Sequence, residues 1–135
     1  MTSLPRKLGI KDGHRVALVG APEGFEERLG PPPVALVTRT PDRGPYHVIV
    51  IFSVRLDELE SDFHRLYWRV AADGGLWVAW PKKSSGVTTD LGFEAVQQAG
   101  LQTGMVDNKI CAIDEVWSGL RFVVRVEDRP AWPPV

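Results

Sequence analysis

Three short runs in this chain are apolar on both faces, and such a run has to be covered from two sides. Tyr46-His-Val-Ile-Val-Ile-Phe52 is the strongest, apolar without a break from Val48. Arg15-Val-Ala-Leu-Val-Gly20 and Leu76-Trp-Val-Ala-Trp80 are the other two. A strand with one wet face alternates polar and apolar residues. A continuous apolar run suits a central strand of a parallel sheet with helices on both faces. Parallel neighbours need a crossover, and the chain supplies one near 54–71. There Leu56, Leu59, Phe63, Leu66, Tyr67 and Val70 recur at helical spacing, with Asp57, Glu58, Glu60, Asp62 and Arg65 on the other faces. Ser53 is placed to cap that helix.

The remaining segments fall between glycine and proline breaks. Residues 1–13 read as a polar lead-in. Pro22-Glu-Gly-Phe-Glu-Glu-Arg-Leu-Gly30 predicts a short helix that buries Phe25 and Leu29. Pro31-Pro-Pro33 stops it, Val34–Thr38 predicts a second strand, and Thr40–Pro45 is a turn cluster. Asp73-Gly-Gly75 is expected to end the unit before the strand at 76–80. Thr89 or Asp90 is expected to cap a helix that packs Phe93, Val96 and Leu101. Strands follow over 107–113 and 121–126, with a turn at Trp117–Leu120 between them. Alternation in Leu120–Val126 places the last strand near an edge. Residues 127–135, rich in proline, read as an irregular tail.

The expected order is β-α-β-β-α-β-α-β-β. That makes one α/β domain over 1–135, a Rossmann-like three-layer sandwich with a mostly parallel sheet and a C-terminal antiparallel hairpin. The arrangement resembles a shortened class I methyltransferase fold, and a fold alone does not fix a function.

Composition narrows the partners. The chain has 135 residues, 44% of them apolar, and a net charge of −1. That is enough apolar material for one core and no basic stripe for nucleic acid. No polybasic anchor and no membrane-length apolar run occur. The amino terminus lacks the apolar core of a signal peptide. Cys111 is the sole cysteine, which suits a reducing, cytoplasmic setting and an inert, buried thiol. His14, His47 and His64 stand at no metal-ligand spacing, so no metal site is expected.

Three segments carry a family resemblance: Leu8–Phe25, Asp73–Gly86 and Val106–Phe122. Together, and in this order, they resemble the bacterial domain of unknown function 3052 family over roughly residues 8–125. That resemblance implies a small cytoplasmic bacterial protein with no agreed activity. It offers no catalytic residues to carry over.

Candidate sites lie where parallel strands end, because open α/β sheets bind ligands there. The first is the turn from Gly20 to Gly24. Its spacing is G-x-x-x-G rather than the dinucleotide G-x-G-x-x-G. Pro22 lacks an N–H, Glu23 adds negative charge, and Thr38-Arg39-Thr40 stands where a ribose-binding acid is expected. The second is Lys82-Lys-Ser-Ser-Gly86, where two ammonium groups, two hydroxyls and backbone amides could hold an anion. The third is a hairpin cluster of Asp114, Trp117, Ser118 and Arg121, in which Asp114 is expected to pair with Arg121 or Lys109. Trp68 and Trp132 are candidates for a partner surface.

These residues contain no nucleophile with its base, and no intact cofactor motif. The leading expectation is a non-catalytic binding or regulatory domain without a cofactor, touching its ligand through Lys82–Gly86. The alternatives are an enzyme that uses S-adenosylmethionine or a nucleotide with a degenerate motif, and a protein–protein module. A homodimer through an edge strand or the Trp132 tail is compatible with the third.

Overall fold

The computed structural model describes residues 3–29 and 35–134. The expected stop at Pro31–Pro33 and the Val34 start of the second strand lie outside the described residues. Six strands form one sheet: β1 His14–Val19, β2 Ala35–Thr38, β3 Tyr46–Phe52, β4 Val70–Pro81, β5 Val106–Ala112 and β6 Trp117–Val123. Their order is β2-β1-β3-β4-β6-β5. The pairs β1–β2, β1–β3 and β3–β4 are parallel, whereas β6 runs antiparallel to both β4 and β5. The mostly parallel sheet with an antiparallel end is therefore present as read.

The apolar runs are consumed from both sides. On one face Ala17, Ile49, Ile51, Leu76, Val78, Trp80 and Phe122 pack under helices α2 (Leu56–Leu66) and α3 (Phe93–Leu101). On the other, Val16, Leu18, Val48, Val50, Phe52, Trp77 and Ala79 meet helix α1 (Leu4–Leu8) and the 3-10 turn Phe25–Leu29. Trp77 and Trp80 point to opposite faces because strand side chains alternate. The second layer is thin, so a specific bond fastens it: the buried Trp77 indole donates to the Leu8 carbonyl at 2.9 Å.

Several local expectations are corrected. The lead-in is not wholly irregular, because Ser3 caps α1 and Gly9, at φ 76°, ends it. The segment after Pro22 forms a 3-10 turn rather than an α-helix, although Phe25 and Leu29 are buried as read. Asp73-Gly-Gly75 lies inside β4, where an irregular register lets the strand run on past Tyr46. The expected Trp117–Leu120 turn is strand instead, and the chain reverses at 113–116. At the antiparallel end of the sheet the edge strand is β5, and β6 lies inside it. Phe93 is 40% exposed, so α3 packs through Val96 and Ala99. The tail is partly ordered as a 3-10 turn, Val126–Ala131.

The capping expectations fail in an informative way. Ser53 does not cap α2: its hydroxyl donates to the Arg55 carbonyl. The α2 amide of Leu56 instead donates to the Asp90 carboxylate at 2.8 Å. Asp90 thus caps the earlier helix across space, and Gly92 precedes α3 without a side-chain cap.

No described helix is long and apolar enough to cross a membrane. Helix α3 approaches the sheet through Gly100, where an added Cβ would stand 2.0 Å from the Phe122 ring. Gly100→Ala is expected to destabilise the fold by about 1–3 kcal/mol through overpacking, read by urea denaturation. Adding Phe122→Leu should recover part of that loss, so the double variant falls short of the sum of the single effects.

Candidate functional site

The chain runs from β1 outward to β2 and then returns to the other side of β1 to form β3. The strand order reverses between β1 and β3, which opens a crevice at their carboxyl ends. The turn that leaves β1 over this crevice begins at Gly20. Gly20 has φ +69°, and an added Cβ would meet the Phe52 carbonyl oxygen at 2.8 Å. Glycine is therefore required both for the left-handed backbone and for the close pass over the end of β3.

Arg39, just past the end of β2, locks this turn. Its guanidinium donates to the Ala21 carbonyl at 2.7 Å and the Pro22 carbonyl at 2.8 Å. It also makes a two-pronged pair with the Glu26 carboxylate. The hydrogen bond from Arg39 holds the Glu26 carboxyl down at about 2, against an ordinary 4.5. Ala21, Glu23, Gly24, Glu26, Glu27 and Arg39 line an open recess of about 530 Å³. Its lip carries three carboxylates and one guanidinium, and that guanidinium is already paired.

The Lys82–Gly86 segment follows β4 and so reaches the same edge of the sheet. Residues 83–85 form a 3-10 turn. The Ser85 hydroxyl donates to the Lys82 carbonyl at 2.6 Å and accepts from the Val87 amide. The amides of Ser85 and Gly86 bond within the loop. Lys83, Ser84 and Gly86 are exposed, and Lys82 is half-buried. Next along the chain, the Thr89 hydroxyl donates to the Val54 carbonyl at 2.6 Å. Together with the Asp90 cap this ties the loop to the end of β3 and the start of α2.

The hairpin cluster divides. Asp114 stays at the carboxyl edge, where its carboxylate accepts from the amides of Val116 and Trp117, both at 2.8 Å. Its ionic partner is neither Arg121 nor Lys109 but Arg28 from the first turn, at 2.8 Å. Partial burial pushes this carboxyl up, yet the Trp117 amide, Arg28 and the Val116 amide outweigh burial and hold it below the usual carboxylate range. Trp117 stacks edge-on against Phe52. Ser118 lies within the sheet opposite Trp80 and Ala112. Arg121 is drawn away: it pairs with Trp77 in register, lies against Gly75 and donates to Asn108. Burial, and then Arg129, lower its pKa.

Arg28 and the Asp90 cap were not legible as site residues, because their partners are 86 and 34 positions away. Arg39 carried a signal, since it stands where an acid was expected. Its role as a clamp on the turn needed the structure. His14 and His47 stack at 4.3 Å at the opposite edge. Cys111 is half-buried, and burial raises its pKa. Among the described residues no group of His, Cys, Asp and Glu could hold a metal ion.

No protein-family model and no curated protein sequence matches the chain. Solved structures do. A ribosomal protein L11 methylase from Lactobacillus delbrueckii subsp. bulgaricus superposes with a TM-score of 0.61 at 14% identity, covering 91% of this chain and 75% of that one. An S-adenosylmethionine-dependent methyltransferase from Aquifex aeolicus gives 0.58 at 13% identity, covering 89% and 87%. Aeropyrum pernix fibrillarin, with natively bound S-adenosyl-L-methionine, gives 0.58 at 12% identity, covering 84% and 68%. The shortened methyltransferase-like fold is thus established. The expectation of a non-catalytic domain, and the leaning against an enzyme, are corrected by the same finding. Both rested on a small chain with a degenerate first turn and no catalytic constellation, whereas the solved structures that superpose on the chain as a whole are S-adenosylmethionine-dependent methyltransferases.

The Arg39–Glu26 pair yields a pH test of the turn. The Glu26 pKa is depressed in the folded state, so the pair's contribution is present above the ordinary glutamate value. It is lost only as pH falls toward about 2. A carboxyl-detected NMR titration should place Glu26 near that value, and Arg39→Ala should return it to near 4.5. An unchanged Glu26 titration in the variant would contradict the clamp.

Proposed function

We propose that this chain is an S-adenosylmethionine-dependent methyltransferase whose cofactor binds at the Gly20–Gly24 turn. The observation that carries the proposal is the acidic recess at the topological switch point. Glu23, Glu26 and Glu27 would repel a pyrophosphate. S-adenosylmethionine has no phosphate and carries a sulfonium and an ammonium, so the same carboxylates suit it. The residues fit the cofactor in a second respect. Gly20 keeps the turn flush against the Phe52 carbonyl and leaves the crevice clear of a side chain.

In this reading Gly20 and Gly24 give the backbone its close approach, and the free carboxylates of Glu23 and Glu27 face the cationic end of the cofactor. When bound, the cofactor supplies an electrophilic methyl group. Arg39 holds the floor of the site through the Ala21 and Pro22 carbonyls, so the turn is set before ligand arrives. Lys82, Lys83 and Ser84 follow β4, two strand spacings from β1, or about 10 Å along the edge. We assign that loop, with Ser85 and Gly86 closing it, to the acceptor's side, where the two ammonium groups favour a substrate bearing an anionic group. Asp114, Trp117 and Ser118 border the same edge, with Trp117 shielding Phe52.

Membership in the domain of unknown function 3052 family belongs to the same proposal. Of its three segments, the first ends at Phe25 and the second at Gly86, and the third passes through the 113–116 turn. All three therefore deliver residues to this one edge.

Calorimetry should detect binding of S-adenosylmethionine or S-adenosylhomocysteine. Hundredfold excess over Kd adds about 2.7 kcal/mol of stability, a rise in Tm of roughly 5–10 °C. Glu23→Lys with Glu27→Lys should weaken binding of the cationic S-adenosylmethionine at least about tenfold. ATP should not bind. Absence of any shift with either ligand at millimolar concentration would overturn the assignment.

A further inference from the structure

The opposite edge of the sheet holds a second built cavity. It lies beside the Tyr46–Val70 pair that begins β3 and β4. The seven residues of β3 separate it from the Gly20 turn, roughly 20 Å at the usual rise per residue. Its volume is about 400 Å³, and its walls include Arg43, Pro45, Trp68, Ala71, Ala72 and Trp132. Ligand pockets of about 300–1,000 Å³ with mostly apolar walls and a few polar groups are typical small-molecule sites.

Both indoles are fixed in place. The Trp132 N–H donates to the Val70 carbonyl at 2.8 Å, and Tyr67 meets the ring edge-on at 6.0 Å. The Arg69 guanidinium sits 5.0 Å from the centre of the Trp68 ring. Arg69 in turn donates to the carbonyls of Pro41 at 3.0 Å and Asp42 at 2.9 Å, which anchors the turn that carries Arg43. Gly44, at φ +83°, lets that turn close against Arg69, whose carbonyl oxygen an added Cβ would meet at 2.5 Å. Rigid aromatic walls of this kind cost little ordering on binding. Arg43 is exposed and forms no ion pair among the described residues.

We propose that this cavity binds a flat aromatic carboxylate: the ring between the two indoles, the carboxylate on Arg43. Aromatic faces take planar rings, and a free guanidinium at the rim takes an anion by charge-assisted hydrogen bonds. The site is independent of the cofactor edge and too far from it to hold a methyl acceptor. It therefore stands whether or not S-adenosylmethionine binds.

The probe is 2-naphthoate, with neutral 2-naphthalenemethanol as its partner, followed by heteronuclear NMR of the Ala71 and Ala72 amides and the Trp68 and Trp132 indole N–H groups. Naphthoate should shift those resonances saturably. Arg43→Gln, at an exposed position, should raise the naphthoate Kd about tenfold or more and leave that of the alcohol unchanged. Ala72→Phe, which fills the cavity, should abolish both. If naphthoate leaves these resonances unmoved at millimolar concentration, the proposal fails. It also fails if Arg43→Gln weakens both probes equally or neither.

Discussion

Val48–Phe52 of β3 and Leu76–Pro81 of β4 are buried on both faces, and this decides where the molecule can act. Val48 to Phe52 and Leu76 to Pro81 offer side chains alternately to two apolar layers. A charged group in either of these stretches would have to leave water without a partner. The sheet itself can therefore offer polar groups to a ligand only at the strand ends and the turns beyond them. Two ends exist, and each carries a cavity. At the carboxyl ends the recess is acidic, and at the amino ends it is aromatic.

The carboxyl edge is held by polar bonds that cross between elements. Arg39 from the end of β2 holds the turn after β1. Arg28 from that turn holds Asp114 in the β5–β6 hairpin. Thr89 and Asp90 tie the segment after β4 to the end of β3 and the first turn of α2. Exposed ion pairs add little stability one at a time. Here they join neighbouring turns that the thin second layer leaves otherwise unsupported, and their main effect is on position.

Features with a period were legible in the sequence. Double-faced apolar runs gave β1, β3 and β4, and helical spacing gave α2, because both follow from geometry that repeats along the chain. The parallel sheet with its antiparallel end followed from element order. What failed were features set by contacts distant in sequence. Asp90 looked like the cap of the helix that follows it, since an aspartate before a helical run normally is one. The Leu56 amide lay closer in space. Asp114 and Arg121 sit seven residues apart, yet strand geometry carries Arg121 back along β6 toward Gly75. Trp117–Leu120 read as a turn because glycine often marks one. Gly119 is instead a strand position where a Cβ would press on Ile113 and Trp77.

On the proposed function the first turn reads differently, and the reason is electrostatic. Glu23 and its neighbours argue against a ligand only when the ligand is taken to be a phosphate. The dinucleotide comparison supplies that assumption silently, because its glycines serve to bring backbone amides up to a pyrophosphate. A sulfonium cofactor reverses the sign of the field that suits it. The absent G-x-G-x-x-G spacing and the acidic lip then cease to be two separate defects. On that proposal both describe a site with no pyrophosphate to cradle. Arg39 does not spoil this balance, because Glu26 neutralises it and leaves Glu23 and Glu27 as the uncompensated charge at the recess. Carboxylates outnumber guanidinium groups at the recess, and on the proposed reading the interaction that favours a cationic cofactor would also disfavour nucleoside phosphates.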